Sequence, residues 1–438
     1  MKNVIRKPIR AYLCLIFVLA FVLSLTGNAL AKGKKISDIM RPPKVIMEGD
    51  PSKSYWKTQV QYPFKVRYAD CKDTRGISWE IGYMDEYIGT DPNPKVFVII
   101  HGKGACAGHY GYLMQRALER GLRVIAPDLP HYGMSSPGNV DKSPARTLQD
   151  CRAVLYDLIV KQLKVKKAYY HGHSLGGQVA YGFAITYPDA VEGLVLEAPA
   201  GLEEFPKNID MGGDKPAPLF DPSYAYDYNK WKEIWEPTET LKGEYAKTKE
   251  DILNFYYFKK KNPQTGMAEP SDKGYFKRNT EYAQFLTDQR ISIIHGNRKE
   301  YDHHIIAFIR DVYSMAIEFL QEDPKSVHKR FVEIKVPIFL AFGEEEPFLP
   351  STAITGLESL RNDLIVPFYK KMTGAGNTPI IKIYPGTGHF IHTDFPGEYA
   401  KDVVDFILKG KVEGNEAPET LPKVIKKEKE EKKPGFSK

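Results

Sequence analysis

Between residues 96 and 197, strand-like and helix-like segments alternate without a break, and this rhythm constrains the fold more than any other feature of the chain. It opens with Val96-Phe97-Val98-Ile99-Ile100, five apolar residues in succession. A strand with one wet face alternates apolar and polar residues, whereas an unbroken apolar run belongs to a strand buried on both faces of a parallel sheet. A helical pattern over His109–Arg120 stops at Gly121, and Arg123–Ala126 reads as the next strand. A helix over roughly Leu148–Gln162 places Leu155, Leu158, Ile159 and Leu163 at helical spacing. Ala168–His171 (strand), Leu175–Tyr187 (helix) and Val191–Glu197 (strand) complete the series. The pattern predicts an α/β fold with a mostly parallel central sheet and helices on both faces.

The rest of the chain divides around that rhythm. Residues 32–64 read as an extended lead-in, followed by β-like runs at Lys65–Ala69 and Ile77–Met84. From Leu202 to about Arg330 no clean strand is evident and the composition turns to Tyr, Trp, Lys and Pro, with helices expected at Lys230–Trp235, Lys249–Lys260 and His304–Leu320. The alternation resumes with strands at Val336–Phe342 and Ile380–Tyr384 and a helix at Tyr399–Leu408. Residues 65–201 and 331–410 are therefore expected to form one core, with 202–330 inserted as a mainly helical cap. That stretch holds ten of the 27 tyrosines. Aromatics such as Tyr224–Tyr228, Trp231 and Trp235 are expected to line a pocket that favours bulky or aromatic substrates. Residues 411–438 read as a solvated charged tail.

The N-terminus reads as an address. A basic segment from Lys2 to Arg10, an apolar run Tyr12–Leu25 and the small-residue site Ala29-Leu30-Ala31 are the three parts of a secretory signal peptide over residues 1–31. The run is shorter than the ~20 residues that span a bilayer, which predicts cleavage near Ala31 and a periplasmic or extracellular mature chain without an integral span. Removing Lys2, Arg6, Lys7 and Arg10 lowers the formal net charge from +7 to +3, so charge points to no nucleic-acid partner. A mean hydropathy of −0.40 excludes a polytopic membrane protein. Cys14 leaves with the signal peptide; Cys71, Cys106 and Cys151 remain, and the sequence does not choose among one disulfide with a thiol and three thiols.

Chemistry concentrates in three loops. Gly172-His173-Ser174-Leu175-Gly176 lies between a predicted strand and a predicted helix, the setting of a nucleophile elbow. A serine hydroxyl needs an imidazole to take its proton, and His389 follows the last strand. The imidazole in turn needs a carboxylate, and Glu344-Glu345-Glu346 stand at the end of the strand before it. Other readings are blander: His171 and His173 as packing groups, His295, His303 and His304 as surface residues of the cap, and Cys106 as structural. One rival is sharper, because Gly102-x-Gly104-x-x-Ala107 with Asp128 about 20 residues later has the form of a dinucleotide fingerprint. It leaves the elbow and the acid and histidine loops unexplained.

With the cap set aside, the chain from about Lys65 to Lys409 resembles the α/β-hydrolase superfamily. His101-Gly102 resembles its oxyanion loop, Asp128-Leu129-Pro130-His131-Tyr132-Gly133-Met134-Ser135 its D-L-P-G-x-G-x-S loop with His131 in place of glycine, Gly172–Gly176 its elbow, Gly343–Pro347 its acid loop and Gly388-His389-Phe390 its histidine loop. The resemblance implies a serine esterase or lipase-like enzyme with Ser174 as nucleophile, His389 as base and Glu346, at the usual aspartate position, as acid. Backbone N–H groups of Leu175 and Lys103 are the implied oxyanion hole. Glu345 is expected to point away into solvent. No cofactor and no metal ion is called for, and the expected partner is a small-molecule or lipid-like ester. Thioester, amide and carbon–carbon hydrolysis use the same parts, and a non-catalytic binding protein on the fold is the alternative of another class.

Overall fold

Eight strands form the central sheet of the computed structural model, which describes residues 34–136, 146–206, 258–261, 268–270, 276–318 and 326–415. They are β1 (Val66–Lys72), β2 (Ser78–Glu86), β3 (Val96–Ile100), β4 (Arg123–Pro127), β5 (Ala168–His173), β6 (Val191–Glu197), β7 (Ile338–Gly343) and β8 (Ile380–Tyr384). Their spatial order is β8-β7-β6-β5-β3-β4-β2-β1. Strands β3 to β8 pair in parallel, while β2 runs antiparallel to both β1 and β4. The chain passes from β3 to β4 on one side and returns to β5 on the other. This reversal opens a crevice at the C-terminal ends of β3 and β5, where doubly wound sheets carry their sites.

The helices cover both faces, as the apolar strands require. Phe97 and Ile99 of β3 face a core that includes Leu113, Met114 and Leu118 of α1 (Gly111–Glu119) and Val403, Val404 and Ile407 of α7 (Pro396–Lys409). Val98 and Ile100 face the other core, built with α2 (Leu148–Tyr156), α3 (Leu175–Thr186) and α6 (Val366–Gly374). Helix α2 starts where the sequence allows it to: Thr147 accepts the N–H of Asp150, and the Asp150 carboxylate accepts the N–H of Thr147.

Three expectations need correction. Residues 34–64 are no mere lead-in: Tyr55, Trp56, Tyr62 and Phe64 are buried in the α1-side core, and short strands Lys44–Val45 and Val60–Gln61 pair with each other. Aromatic residues without periodicity gave no sign of this packing. Of the stretch expected to be helical at Lys249–Lys260, residues 249–257 lie outside the described residues, and Phe258–Lys261 is a strand paired with Ala268–Pro270. The helix expected at His304–Leu320 begins earlier, as α5 (Arg298–Ala316), and is preceded by α4 (Glu281–His295). Residues 1–31, Lys230–Trp235, the aromatic cluster Tyr224–Tyr228 with Trp231, and all but the first residues of the tail, for which expectations were stated above, lie outside the described residues.

Helix α5 is fastened to the core by ion pairs. The Arg146 guanidinium forks onto Asp311 at 2.7 and 3.0 Å, and the Tyr132 hydroxyl donates to the same carboxylate at 2.7 Å. Arg146 and Asp311 are both fully buried. Just past α5, Glu318 accepts from Arg152 at 2.6 and 2.7 Å and from Gln178 at 3.0 Å. Among the described residues, no helix is long and apolar enough to cross a membrane.

Candidate active site

Ser174 occupies the turn between β5 and α3 with φ 55° and ψ −121°. A side chain rarely adopts such a backbone, and it persists only where its surroundings force it. The force is visible at the flanking glycine: a Cβ on Gly176 would stand 2.4 Å from the carbonyl oxygen of Ile100 in the neighbouring strand. The turn is also tied down by hydrogen bonds, since the N–H of Ser174 donates to the carbonyl of Glu197 at 3.0 Å and its carbonyl accepts from Ala200 at 3.0 Å. As the first residue of α3, Leu175 has an N–H without an acceptor inside the helix.

His389 and Glu346 meet as their positions required. The His389 Nδ1–H donates to the Glu346 carboxylate, 2.8 Å from Oε2 and 3.0 Å from Oε1. That bond fixes the tautomer and leaves Nε2 to accept a proton. The Glu346 side chain is fully buried, and its Oε1 also accepts the N–H of Phe348 at 2.9 Å. Glu344 and Glu345 remain exposed, and Glu345 pairs with Lys277 at 2.6 Å. Backbone bonds hold the acid loop to the histidine loop: Glu344 N–H donates to Tyr384 and Glu345 N–H to Thr387, each at 3.0 Å.

The histidine loop reaches the elbow through His173. Its Nε2–H donates to the carbonyl of His389 at 2.9 Å, and the two rings lie 4.6 Å apart. Burial and the nearby His389 hold the His173 imidazole well below its ordinary range. The packing role expected of His173 therefore includes a specific hydrogen bond. His171 is likewise bonded, with Nε2 2.9 Å from Glu197. His304 departs from expectation: it is 1% exposed, against the rings of Trp56 and Tyr132, and is no surface residue.

The loop after β3 lies against the serine. A Cβ on Gly102 would come within 3.1 Å of the Ser174 Cβ, so only glycine lets this backbone approach the nucleophile. Lys103 and Gly104 form the following turn, and Phe308 of α5 covers Gly104. His101 is locked in one tautomer, with Nδ1–H donating to the Gly102 carbonyl at 2.8 Å and Nε2 accepting the Leu129 N–H at 2.9 Å. Burial lowers its pKa to about 4. Asp128 accepts from Ala107 N–H (2.6 Å), Tyr62 hydroxyl (2.7 Å) and Met134 N–H (2.7 Å). Burial raises its pKa to about 7 despite those bonds. A carboxylate spent on the loop itself does not face a ribose, which removes the dinucleotide reading. Cys106 is buried beside His109, and burial holds its thiol far above the usual range, in keeping with a structural role. Cys71, Cys106 and Cys151 are unlinked and buried.

An elbow serine, a carboxylate-bonded histidine and a glycine loop at the C-terminal edge of a mostly parallel sheet define an α/β hydrolase. Residues 95–376 match the model of the alpha/beta hydrolase fold, and the chain belongs to that family. It is 23% identical over 321 residues to a 2-hydroxy-6-oxo-6-phenylhexa-2,4-dienoate hydrolase of Burkholderia cepacia, covering 72% of this chain and 88% of that protein. A protein of the same name from Comamonas testosteroni is 32% identical over 111 residues, which span 25% of this chain and 37% of that one. Among solved structures, a probable hydrolytic enzyme of Pseudomonas aeruginosa superposes with a TM-score of 0.55 at 19% identity, over 81% of this chain and 99% of its own. That likeness is one of fold.

Proposed function

We propose that this α/β hydrolase is an exported carboxylic-ester hydrolase working through an acyl-Ser174 intermediate. The observation that carries the reading is the pair of short contacts between His389 Nδ1 and the buried Glu346 carboxylate, on a loop hydrogen-bonded to the residue before a strained serine. His389 Nε2 takes the hydroxyl proton as Ser174 Oγ attacks the ester carbonyl carbon, and Glu346 stabilises the imidazolium. The oxyanion forms against the N–H groups of Leu175 and Lys103, each donor contributing roughly 10²–10³ in rate. Collapse expels the alcohol, which takes the proton from His389. Water then repeats the sequence at the acyl carbon and releases the acid. Export is supported by the three-part signal over residues 1–31.

A second reading has one specific observation in its favour: the relative matched over most of its length is named a dienoate hydrolase. Hydrolysis of a carbon–carbon bond beside a ketone would use the same serine, histidine and acid. A single experiment covers both readings. Mature protein and Ser174→Ala are exposed to a fluorophosphonate probe, then assayed on acyl esters of graded size and on a 2-hydroxy-6-oxo-dienoate. Labelling confined to the wild type, with turnover of the esters, supports the first reading; turnover of the dienoate alone supports the second. Absence of labelling together with absence of turnover overturns both. The mass of the chain recovered from a bacterial periplasm tests cleavage after Ala31.

A further inference from the structure

Beneath the elbow lies a second carboxylate that the ester chemistry does not use. Glu197 is the last residue of β6 and is fully buried. Its Oε1 accepts two bonds from one residue, the backbone N–H of His392 at 2.9 Å and the ring Nδ1–H of His392 at 2.8 Å. Its Oε2 accepts the Nε2–H of His171 at 2.9 Å, and the Tyr399 hydroxyl lies 3.0 Å from the same ring nitrogen. The opposite nitrogens, His171 Nδ1 and His392 Nε2, are buried without a hydrogen-bond partner among the described residues. Each ring thus spends its one hydrogen-bonding nitrogen on Glu197. The His392 ring is also stacked on Tyr110, with centroids 4.2 Å apart.

The backbone of Glu197 matters as much as its side chain. Its carbonyl is the acceptor for the Ser174 N–H. One residue therefore holds the nucleophile by its main chain and, by its carboxylate, the loop three residues beyond His389. The bond from His173 to the His389 carbonyl closes the circuit on the other side. We propose that Glu197 is a positioning residue that sets the His389 imidazole against Ser174. This rests on the reading of Ser174 and His389 as nucleophile and base.

Glutamine at this position has the same shape but the wrong donor. Its amide nitrogen would face the Nε2–H of His171, and relieving that conflict moves the His171 proton to Nδ1, where no acceptor lies. The expected result for Glu197→Gln is a kcat at least about tenfold lower with KM within about twofold, because the loss falls on alignment and not on binding. In a His389→Ala background the same change should alter the residual rate less than about twofold, since there is no imidazole left to position. A merely structural role would depress both backgrounds alike. His392 supplies the second pair of variants: Asn keeps a donor near the Nδ1 position and should retain most of the rate, whereas Leu should match Glu197→Gln, so the test survives if Glu197→Gln does not fold. The strongly downfield proton of a carboxylate-bonded histidine gives a readout without turnover, and in Glu197→Gln the His389 Nδ1–H signal should shift or broaden. If the chain turns over no ester but that signal responds, the positioning role stands and the ester-hydrolase reading falls. If an active chain keeps both its kcat and its signal in Glu197→Gln, the positioning role is overturned.

Discussion

Three adjacent glutamates with different surroundings make the acid assignment testable residue by residue. Glu346 directly precedes Pro347, which biases it to an extended backbone, and its carboxylate is buried on His389; Glu344 and Glu345 are exposed. Glu346→Gln removes the acceptor that fixes the His389 tautomer. The comparable change in a Ser-His-Asp triad costs about 10⁴ in kcat. Glu346→Gln should therefore lower turnover by several orders of magnitude, and Glu345→Gln and Glu344→Gln by less than about tenfold. Parallel kinetics on the three variants decide the register; a crippled Glu345→Gln would shift it by one residue. The contact itself was legible in the sequence because the spacing from Gly343 and the proline both select Glu346. Glu197 was not legible. A glutamate ending an apolar strand looks like the point where the chain meets water, and its two histidines come from β5 and from the one-turn helix Ile391–Asp394, 195 residues further on.

The same contrast holds for elements. Strands β3, β6 and β8 lie within the residues where apolar runs put them, because a strand buried on both faces has few sequence solutions. Packing of 34–64, the α6 segment and the docking of α5 were hidden, since each depends on partners distant in the chain. Asp311 illustrates why: no local pattern announces that Arg146, 165 residues earlier, will fork onto it in the buried interior. The docking geometry also explains His131, which takes the place of the first glycine in the D-L-P-G-x-G-x-S pattern that this loop resembles. Its φ is 80°, an unfavourable backbone for a side chain, but its ring accepts from Arg310 of α5 at 2.6 Å and meets the edge of Trp79. Removing one member of a fully buried ion pair leaves the other uncompensated, so Asp311→Ala should destabilise the protein by about 3–5 kcal/mol. Replacing both Arg146 and Asp311 with apolar residues of similar volume should recover much of that loss. Chemical denaturation of the two variants measures it, and a double variant no more stable than Asp311→Ala would refute this account of the docking.

Across the whole molecule, buried histidines set the response to acid. His101 is held at about 4, His303 at about 3 and His328 at about 4, in each case chiefly by burial, against an ordinary 6.5. His109, His173 and His304 are also held well below that ordinary value, again by burial first. Between pH 6.5 and 4 the unfolded chain binds protons at these sites that the folded chain refuses, so stability falls as the pH drops through that window. Five carboxyls among the described residues act in the opposite sense, and burial lifts three of them, Glu203, Glu300 and Asp302, above their ordinary range. Burial raises Asp128 to about 7 and Asp394 to about 6, so the folded chain takes up their protons first and gains stability on acidification from those values down to about 4. The histidines outnumber these acids, which predicts a Tm that declines from pH 7 to pH 4.5. His328 isolates the effect, because it lies in the segment Val327–Glu333 and its ring meets Gly201, Glu204 and Phe331, none of them a member of the Ser174–His389–Glu346 set. With its proton taken near 6.5 unfolded and near 4 folded, it contributes about 2 kcal/mol of the loss at pH 4.5. His328→Gln should therefore narrow the difference in unfolding free energy between pH 7 and pH 4.5 by about that amount while leaving kcat at pH 7 unchanged. Denaturant titrations at the two pH values test this, and an unaltered difference would mean that His328 is protonated in the folded chain as readily as in the unfolded one.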